Sequence, residues 1–270
     1  MRALVDIGAN LAHESFAHDC AAVIQRARSS GVKRIIVTGS TIESSRQAVA
    51  LARQHHHTLF ATAGIHPHHA MDFDEHSGRT IGEMAVLPEV VAIGECGLDY
   101  YRHFSPRAAQ LHAFAEQLAV AAICAKPVFL HQRDAHADFV AVLREHIQRL
   151  PGGVAHCFTG TRAQMDEYLG MGLSIGVTGW ICDERRAADL RDAVAGLPLD
   201  RVMIESDAPY LLPRNTGRKP ATRRNEPAYL PAVLLTTAHF MGVDAEELAA
   251  ATSENAARLF GLPPPDAETG

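Results

Sequence analysis

What this 270-residue sequence lacks narrows its chemistry first. No stretch approaches the roughly 18 uninterrupted apolar residues that a membrane helix needs, so no membrane partner is expected. Five cysteines, an odd number, are scattered without a C-x-x-C pair, which excludes a disulfide framework or a thiolate zinc site and suits a reducing cytoplasm. Met1-Arg2 leads straight into a strand-like run, so no secretory signal is expected. The turn after that run, DIGANLAH, has no Gly-rich phosphate motif, which disfavours an open nucleotide-binding sheet. A G-x-S-x-G elbow is also missing, which disfavours a serine hydrolase. Composition, at 47% apolar and 21% charged, is that of an ordinary globular protein.

What the chain does have is a repeated pattern of strand-length apolar runs that stop on a potential metal ligand. VVAIGE ends on Glu95, PVFLH on His131, GVAH on His156 and VMIESD on Asp207. These runs are too uniformly apolar to have one face in water, so they read as parallel strands buried on both sides. ALVDIG, RIIVTG, LFATAGIH and LSIGVTG bring the number of runs to eight, separated by stretches with helical periodicity. Eight strand–helix units within 270 residues predict a (β/α)8 TIM barrel. We expect a single domain over residues 1–262, with residues 263–270 (PPPDAETG) as a disordered tail and a monomeric protein.

Ligands at the C-terminal ends of several barrel strands mark an active site. A carboxylate such as Glu95 can bridge two cations, imidazoles from His131 and His156 suit transition metals, and Asp207 can ligate or take a proton from water. The set predicts metal-assisted hydrolysis. After the last run, PRNTGRKPATRRNEPAYLP gathers Arg214, Arg218, Lys219, Arg223 and Arg224 in a chain of net charge −6. Such guanidinium groups suit phosphate oxygens, and Arg133 is a further candidate for the scissile phosphate. Tyr100 and Tyr101 could stack an unpaired base. His55 to His57 read as a polar loop, and His68 and His69 as surface or substrate rim. Cys96 and Cys157 read as small buried thiols that alternation turns away from the ligands. The DERR run at Asp183 reads as a helix cap or a substrate contact.

The stretches AGIHPHH, VVAIGECGLDYYR, PVFLHQRDAH, HCFTG, IGVTGWICDERR, IESDAPYLLPR and RRNEPAYLP, in this order, resemble the TatD-type deoxyribonucleases, metal-dependent hydrolases on an amidohydrolase-like barrel. The resemblance implies that Glu95, His131, His156 and Asp207 ligate divalent metal, and that Glu205 and His66 hold further active-site positions. Most of that family has Asp-x-His-x-His in its first strand, whereas this chain has Asp6-Ile7-Gly8-Ala9-Asn10. One metal subsite is thereby left to Glu95, Asp207, Asn10 and water, which favours magnesium there, with manganese or zinc as alternatives. The implied activity is 3′–5′ exonuclease action on single-stranded DNA, with RNA as a second substrate and DNA repair as a setting. The same site could hydrolyse an ester, such as a D-aminoacyl-tRNA, and a barrel with a depleted first strand could bind nucleic acid without catalysis.

Overall fold

The computed structural model describes residues 3–216 and 222–263. Among them, eight strands follow one another around a single sheet: Leu4–Ala9 (β1), Val32–Val37 (β2), Leu59–Ala63 (β3), Val90–Asp99 (β4), Val128–Arg133 (β5), Gly153–Ala155 (β6), Ser174–Val177 (β7) and Val202–Ile204 (β8). Every neighbouring pair is parallel. The seam between β8 and β1 is closed just beyond the strand, where the Asp207 amide donates to Gly8 O at 2.8 Å and the Asn10 amide to Ala208 O at 2.7 Å. This is the (β/α)8 barrel anticipated from the eight apolar runs.

Helices fill the intervals: Cys20–Ser29 (α1), Ile42–Gln54 (α2), Ser77–Ala85 (α3), Arg107–Cys124 (α4), His136–His146 (α5), Arg162–Gly170 (α6), Ala188–Val194 (α7), Leu230–Met241 (α8) and Ala245–Phe260 (α9). Local chemistry sets several of their ends. Thr41 with Ser44 and Thr161 with Gln164 form capping boxes, each satisfying amides that the first helical turn leaves without partners. Gly242 and Gly261 end α8 and α9 at φ of 67° and 61°, the left-handed conformation that glycine adopts without penalty.

Two hydrophobic layers result. The larger lies between the strands and the helical ring and includes Leu4, Phe16, Phe114, Leu118, Phe139 and Tyr168. The smaller fills the barrel itself, where Val5, Ile36, Phe60, Phe129, Val154 and Met203 meet Phe260 and Leu262 from the end of α9. Helix α9 is also fastened to the barrel by Asn255 Nδ2, which donates to Leu199 O and Val202 O at 2.9 Å. We propose on this basis that residues 1–262 form one domain; residues 264–270 of the expected tail lie outside the described residues.

One strand departs from its sequence boundary. The run read as ending at Glu95 continues to Asp99, because β4 keeps pairing with β5 as far as Asp99 and Arg133 after a register shift between Gly94 and Cys96. Glu95 therefore lies within a strand, and the carboxylate at the strand's end is Asp99.

Candidate metal centre

Side-chain alternation carries the barrel filling into the site. Phe129 fills the interior, and two residues on, His131 points to the same side; Val154 and His156 repeat the relation, as do Met203 and Glu205. An apolar layer thus supports a polar one, with the Phe129 ring stacked on His156 at 4.5 Å between centroids. Glu95 reaches this layer through two glycines. A Cβ on Gly94 would stand 2.2 Å from Phe129 O, and one on Gly97 would stand 1.9 Å from His131 O, so β4 can press against β5 only without side chains there.

Three imidazoles converge on a single carboxylate oxygen. Glu95 Oε1 lies 2.7 Å from His156 Nε2, 2.9 Å from His131 Nδ1 and 3.3 Å from His66 Nε2. His66 follows β3, held by its amide's 2.9 Å hydrogen bond to Ser40 O. One ligand atom each from His66, Glu95 and His131 lie within 4.8 Å of one another, a spread that a single cation can join. Asp207 lines the same cavity, its Oδ1 3.5 Å from Asn10 Nδ2. Its φ of 54° and that of Cys157, 45°, are left-handed values that aim both side chains off the strand path.

Beneath the mouth, fully buried Glu205 takes up space that the first strand leaves open. Its Oε2 lies 2.6 Å from where a Cβ on Gly8 would be, so any side chain at residue 8 competes with this carboxylate. Glu205 Oε1 accepts the Cys157 amide, and Oε2 stands 3.4 Å from His156 Nδ1.

The electrostatics suit a cation. Burial alone would raise the Glu95 carboxyl, yet His66, His156 and the hydrogen bonds from His131 and His156 hold it well below the usual range. Burial lowers the His66 imidazole to about 4, keeping it neutral as a ligand must be. His131 and His156 are raised despite their burial, the first by Asp99 and Glu95, the second by Glu95 and Glu205. Burial, with the charges of Glu95 and Glu205, pushes Asp207 up to about 8. Buried His131 Nε2 and His156 Nδ1 each face a carboxylate oxygen at ion-pair distance, Asp99 Oδ2 at 3.5 Å and Glu205 Oε2 at 3.4 Å, outside good hydrogen-bond geometry. Imidazoles and carboxylates packed this closely form the donor set of a divalent metal, whose binding would displace the protons that Glu95, Asp99 and Glu205 draw onto His131 and His156, so the residues present fit one.

The cavity, about 380 Å³, is lined by all four residues anticipated as ligands and by His66. Among the described residues, no arginine of the basic loop lines it. Arg224 is bound to Asp19 at 2.7 and 2.8 Å and to Glu226 at 2.8 Å, with its guanidinium 4.8 Å from the centre of the Phe16 ring. Arg214 pairs with Asp183 at 3.0 Å, and Arg223 is exposed outside the cavity lining. Arg218 and Lys219 lie outside the described residues. Asp19, just before α1, together with the neighbouring Glu226 holds Arg224, and Asp183 holds Arg214. Tyr100 is likewise turned aside, its hydroxyl donating to Asp138 while Arg107 covers its ring. Arg133 lies outside the cavity as well, between Tyr101 and Trp180.

Other lining residues were missed or misjudged from sequence. Cys157 faces the cavity, contrary to alternation, because β6 ends at Ala155 and residue 157 is left-handed. His68 hydrogen-bonds Asp99 at 2.6 Å across the cavity wall, and Arg102 and Tyr210 complete the rim. His68 and His69 line the cavity, as the substrate-rim reading allowed, whereas Arg102 and Tyr210 were not singled out although both lie within the quoted motifs.

Known proteins agree with this arrangement. The TatD related DNase family model matches residues 5–261. The 3′-5′ ssDNA/RNA exonuclease TatD of Citrobacter rodentium is 51% identical over 96% of this chain and 98% of its own. The protein of the same name from Erwinia amylovora is 48% identical over 96% and 100%. Among solved structures, YJJV, a TatD homologue from Escherichia coli K12, superposes with a TM-score of 0.88 at 30% identity over 96% of this chain and 98% of that one. A phosphotriesterase homology protein from Escherichia coli, at a TM-score of 0.66 and 14% identity over 96% and 98%, shares the fold. With its barrel, its convergent histidines and these relatives, the chain belongs to the TatD-related DNase family.

Proposed function

We propose that this chain is a metal-dependent 3′–5′ exonuclease that shortens single-stranded DNA, with RNA as a second substrate. The observation that carries this reading is the meeting of His66, His131 and His156 on Glu95 Oε1 inside a cavity of about 380 Å³. A recess of that size, seated above the buried Phe129 ring, accommodates the end of a strand more readily than its middle. Polarity and strand preference are taken from the names of relatives 51% and 48% identical to it.

In this proposal Glu95, His131, His156 and Asp207 hold the metal, and His66 joins them. A bound divalent cation supplies Lewis-acid stabilisation of the charge that develops on the phosphoryl oxygens. Asp207, at the cavity wall, accepts at its carboxylate the proton of the water that attacks phosphorus in line, while the opposite bond from phosphorus to the sugar oxygen of the shortened strand breaks and that oxygen leaves, taking a proton from solvent. Glu205 acts through its neighbour, its Oε2 3.4 Å from Nδ1 fixing the His156 ring. Magnesium is the proposed ion because no imidazole occurs between Asp6 and Asn10; manganese and zinc are the alternatives. Five free thiols favour a reducing cytoplasm, and no described helix is long and apolar enough to cross a membrane. We take the working form to be a monomer, and DNA repair to be the setting for such an activity.

The test is metal-stripped protein given 3′-labelled and 5′-labelled single strands, with magnesium, manganese or zinc restored, beside Glu95→Ala and His156→Ala. Early release of the 3′ label and a descending ladder from the 5′ label, lost in both variants, is the expected result. Intact strands under every metal would overturn the reading and direct attention to aminoacyl esters.

A further inference from the structure

Among the described residues, the guanidinium groups that remain available at the barrel mouth are not those of the basic loop. Tyr101 follows β4, Arg133 ends β5 and Trp180 follows β7, so parallel strands bring all three to the same rim. The Arg133 guanidinium lies 5.1 Å from the centre of the Tyr101 ring and 5.3 Å from that of Trp180. Arg102 extends the row from Tyr101 at 5.5 Å, and Arg186 extends it from Trp180 at 5.8 Å. Cation and ring therefore alternate through Arg102, Tyr101, Arg133, Trp180 and Arg186.

Three features distinguish this row from rim packing. Tyr101 keeps 59% of its surface in solvent, and Arg102 and Arg186 are exposed. Its charge is not cancelled: among the described residues no carboxylate comes within 4.0 Å of Arg102 or Arg186, and Arg133 has only Asp134, at 3.9 Å. The row also begins at the site, because Arg102 lines the metal cavity. Alternating aromatic faces and guanidinium groups are what a single-stranded nucleic acid requires, since each base offers a π-face and each phosphate a charge.

We infer that this row seats the part of the strand leading to the cavity, bases against Tyr101 and Trp180 and phosphates against Arg102, Arg133 and Arg186. The inference rests on the nuclease reading above and adds a second binding surface to it. The surface is sequence-tolerant, because it offers stacking and charge without a fixed set of donors for base edges. Three phosphate contacts give a log–log salt slope of about −2, at about −0.7 per contact on single strands.

The chain contains one tryptophan, Trp180, so its fluorescence reports the row directly. Full-length protein carrying Glu95→Gln, which holds strands without shortening them, is titrated with an oligothymidylate that overhangs the cavity by several nucleotides. Trp180 emission is expected to change on binding. Tyr101→Ala and Arg133→Gln should each weaken binding by about fivefold or more, the low end of one base–aromatic stack. In otherwise active protein the same changes should raise KM for the oligonucleotide and leave kcat/KM for the p-nitrophenyl ester of thymidine phosphate within about twofold. Unchanged emission, or unchanged affinity in both variants, overturns the row while leaving the nuclease reading intact. If active protein cleaves neither substrate with any metal, the nuclease reading fails, and the titration still decides whether the row binds a strand.

Discussion

Asp99 Oδ2 stands 3.5 Å from His131 Nε2, on the edge of the imidazole opposite the nitrogen that faces Glu95. The carboxylate is itself fixed, its Oδ1 accepting the Tyr101 and Arg102 amides at 2.9 Å and its Oδ2 bound to His68 at 2.6 Å. A carboxylate behind a ligating histidine sets the ring's tautomer and orientation, and its loss typically costs about 10–100-fold in metal affinity or activity. Asp99→Asn should therefore weaken metal binding by about that factor while the fold persists. Metal titration followed by turnover checks this, and unchanged affinity would contradict the role.

The contest between Gly8 and Glu205 makes a second prediction. With a Cβ on residue 8 set to fall 2.6 Å from Glu205 Oε2, Gly8→Ala should displace the glutamate, disturb His156 and lower both stability and activity. Overpacking of this kind costs about 1–3 kcal/mol. Combined with Glu205→Ala, the stability loss should be smaller than the two single losses added together. A double-mutant cycle by thermal unfolding measures the coupling, and additive losses would show the two positions to be independent.

Arg224, in contrast, should not matter to turnover. Arg224→Ala is expected to leave kcat/KM within about twofold, because the side chain is tied to Asp19 and Glu226 away from the cavity. Its effect belongs to stability at low pH. The Arg224 hydrogen bond holds the Asp19 carboxyl down to about 2. A depressed folded-state value contributes stability that is complete above the unfolded carboxylate value, near 3.9, and is lost as pH falls towards about 2. Arg224→Ala should flatten the acid limb in that window and cost no more than about 1 kcal/mol at neutral pH, since the pair is partly exposed. Urea unfolding across pH reads both effects.

Phe129 supports the site from below. Fully buried and stacked on His156, it should cost about 3–5 kcal/mol when cut to alanine, and it should loosen the histidine above it. A lowered Tm together with weakened metal binding is the expected pair of results. A stability loss with unchanged metal affinity would separate the apolar layer from the ligand layer.

The barrel was legible because it follows local rules, and the same rules brought His131 and His156 to one cavity with Glu95 and Asp207. A buried parallel strand is an apolar run, and alternation places the residue two beyond Phe129 or Val154 on the same side as its predecessor. The exceptions arose where a distant partner decides. Asp99 ends β4 because β5 continues to pair with it; Arg224 turns from the cavity because Asp19, far off in sequence, holds it; Cys157 enters the cavity through a left-handed backbone that no period reveals. His66, given by the family pattern only as a further active-site position, stands beside Glu95 and His131 because the Ser40 carbonyl anchors its backbone there. Charge in the loop after β8 was visible, whereas the pairing of Arg214 and Arg224 was not, since ion pairing is a property of the fold.

The most direct test of the account is metal content and turnover measured together on wild-type protein and on Glu95→Gln, a change that preserves volume while removing the charge where three imidazoles meet. The account predicts that wild type binds a divalent ion and releases nucleotides from single-stranded DNA. The variant should lose the ion and fall by about a thousandfold or more in kcat/KM, as expected when metal and charge stabilisation are removed together. Wild-type turnover by Glu95→Gln, or full wild-type activity without divalent metal, would contradict it.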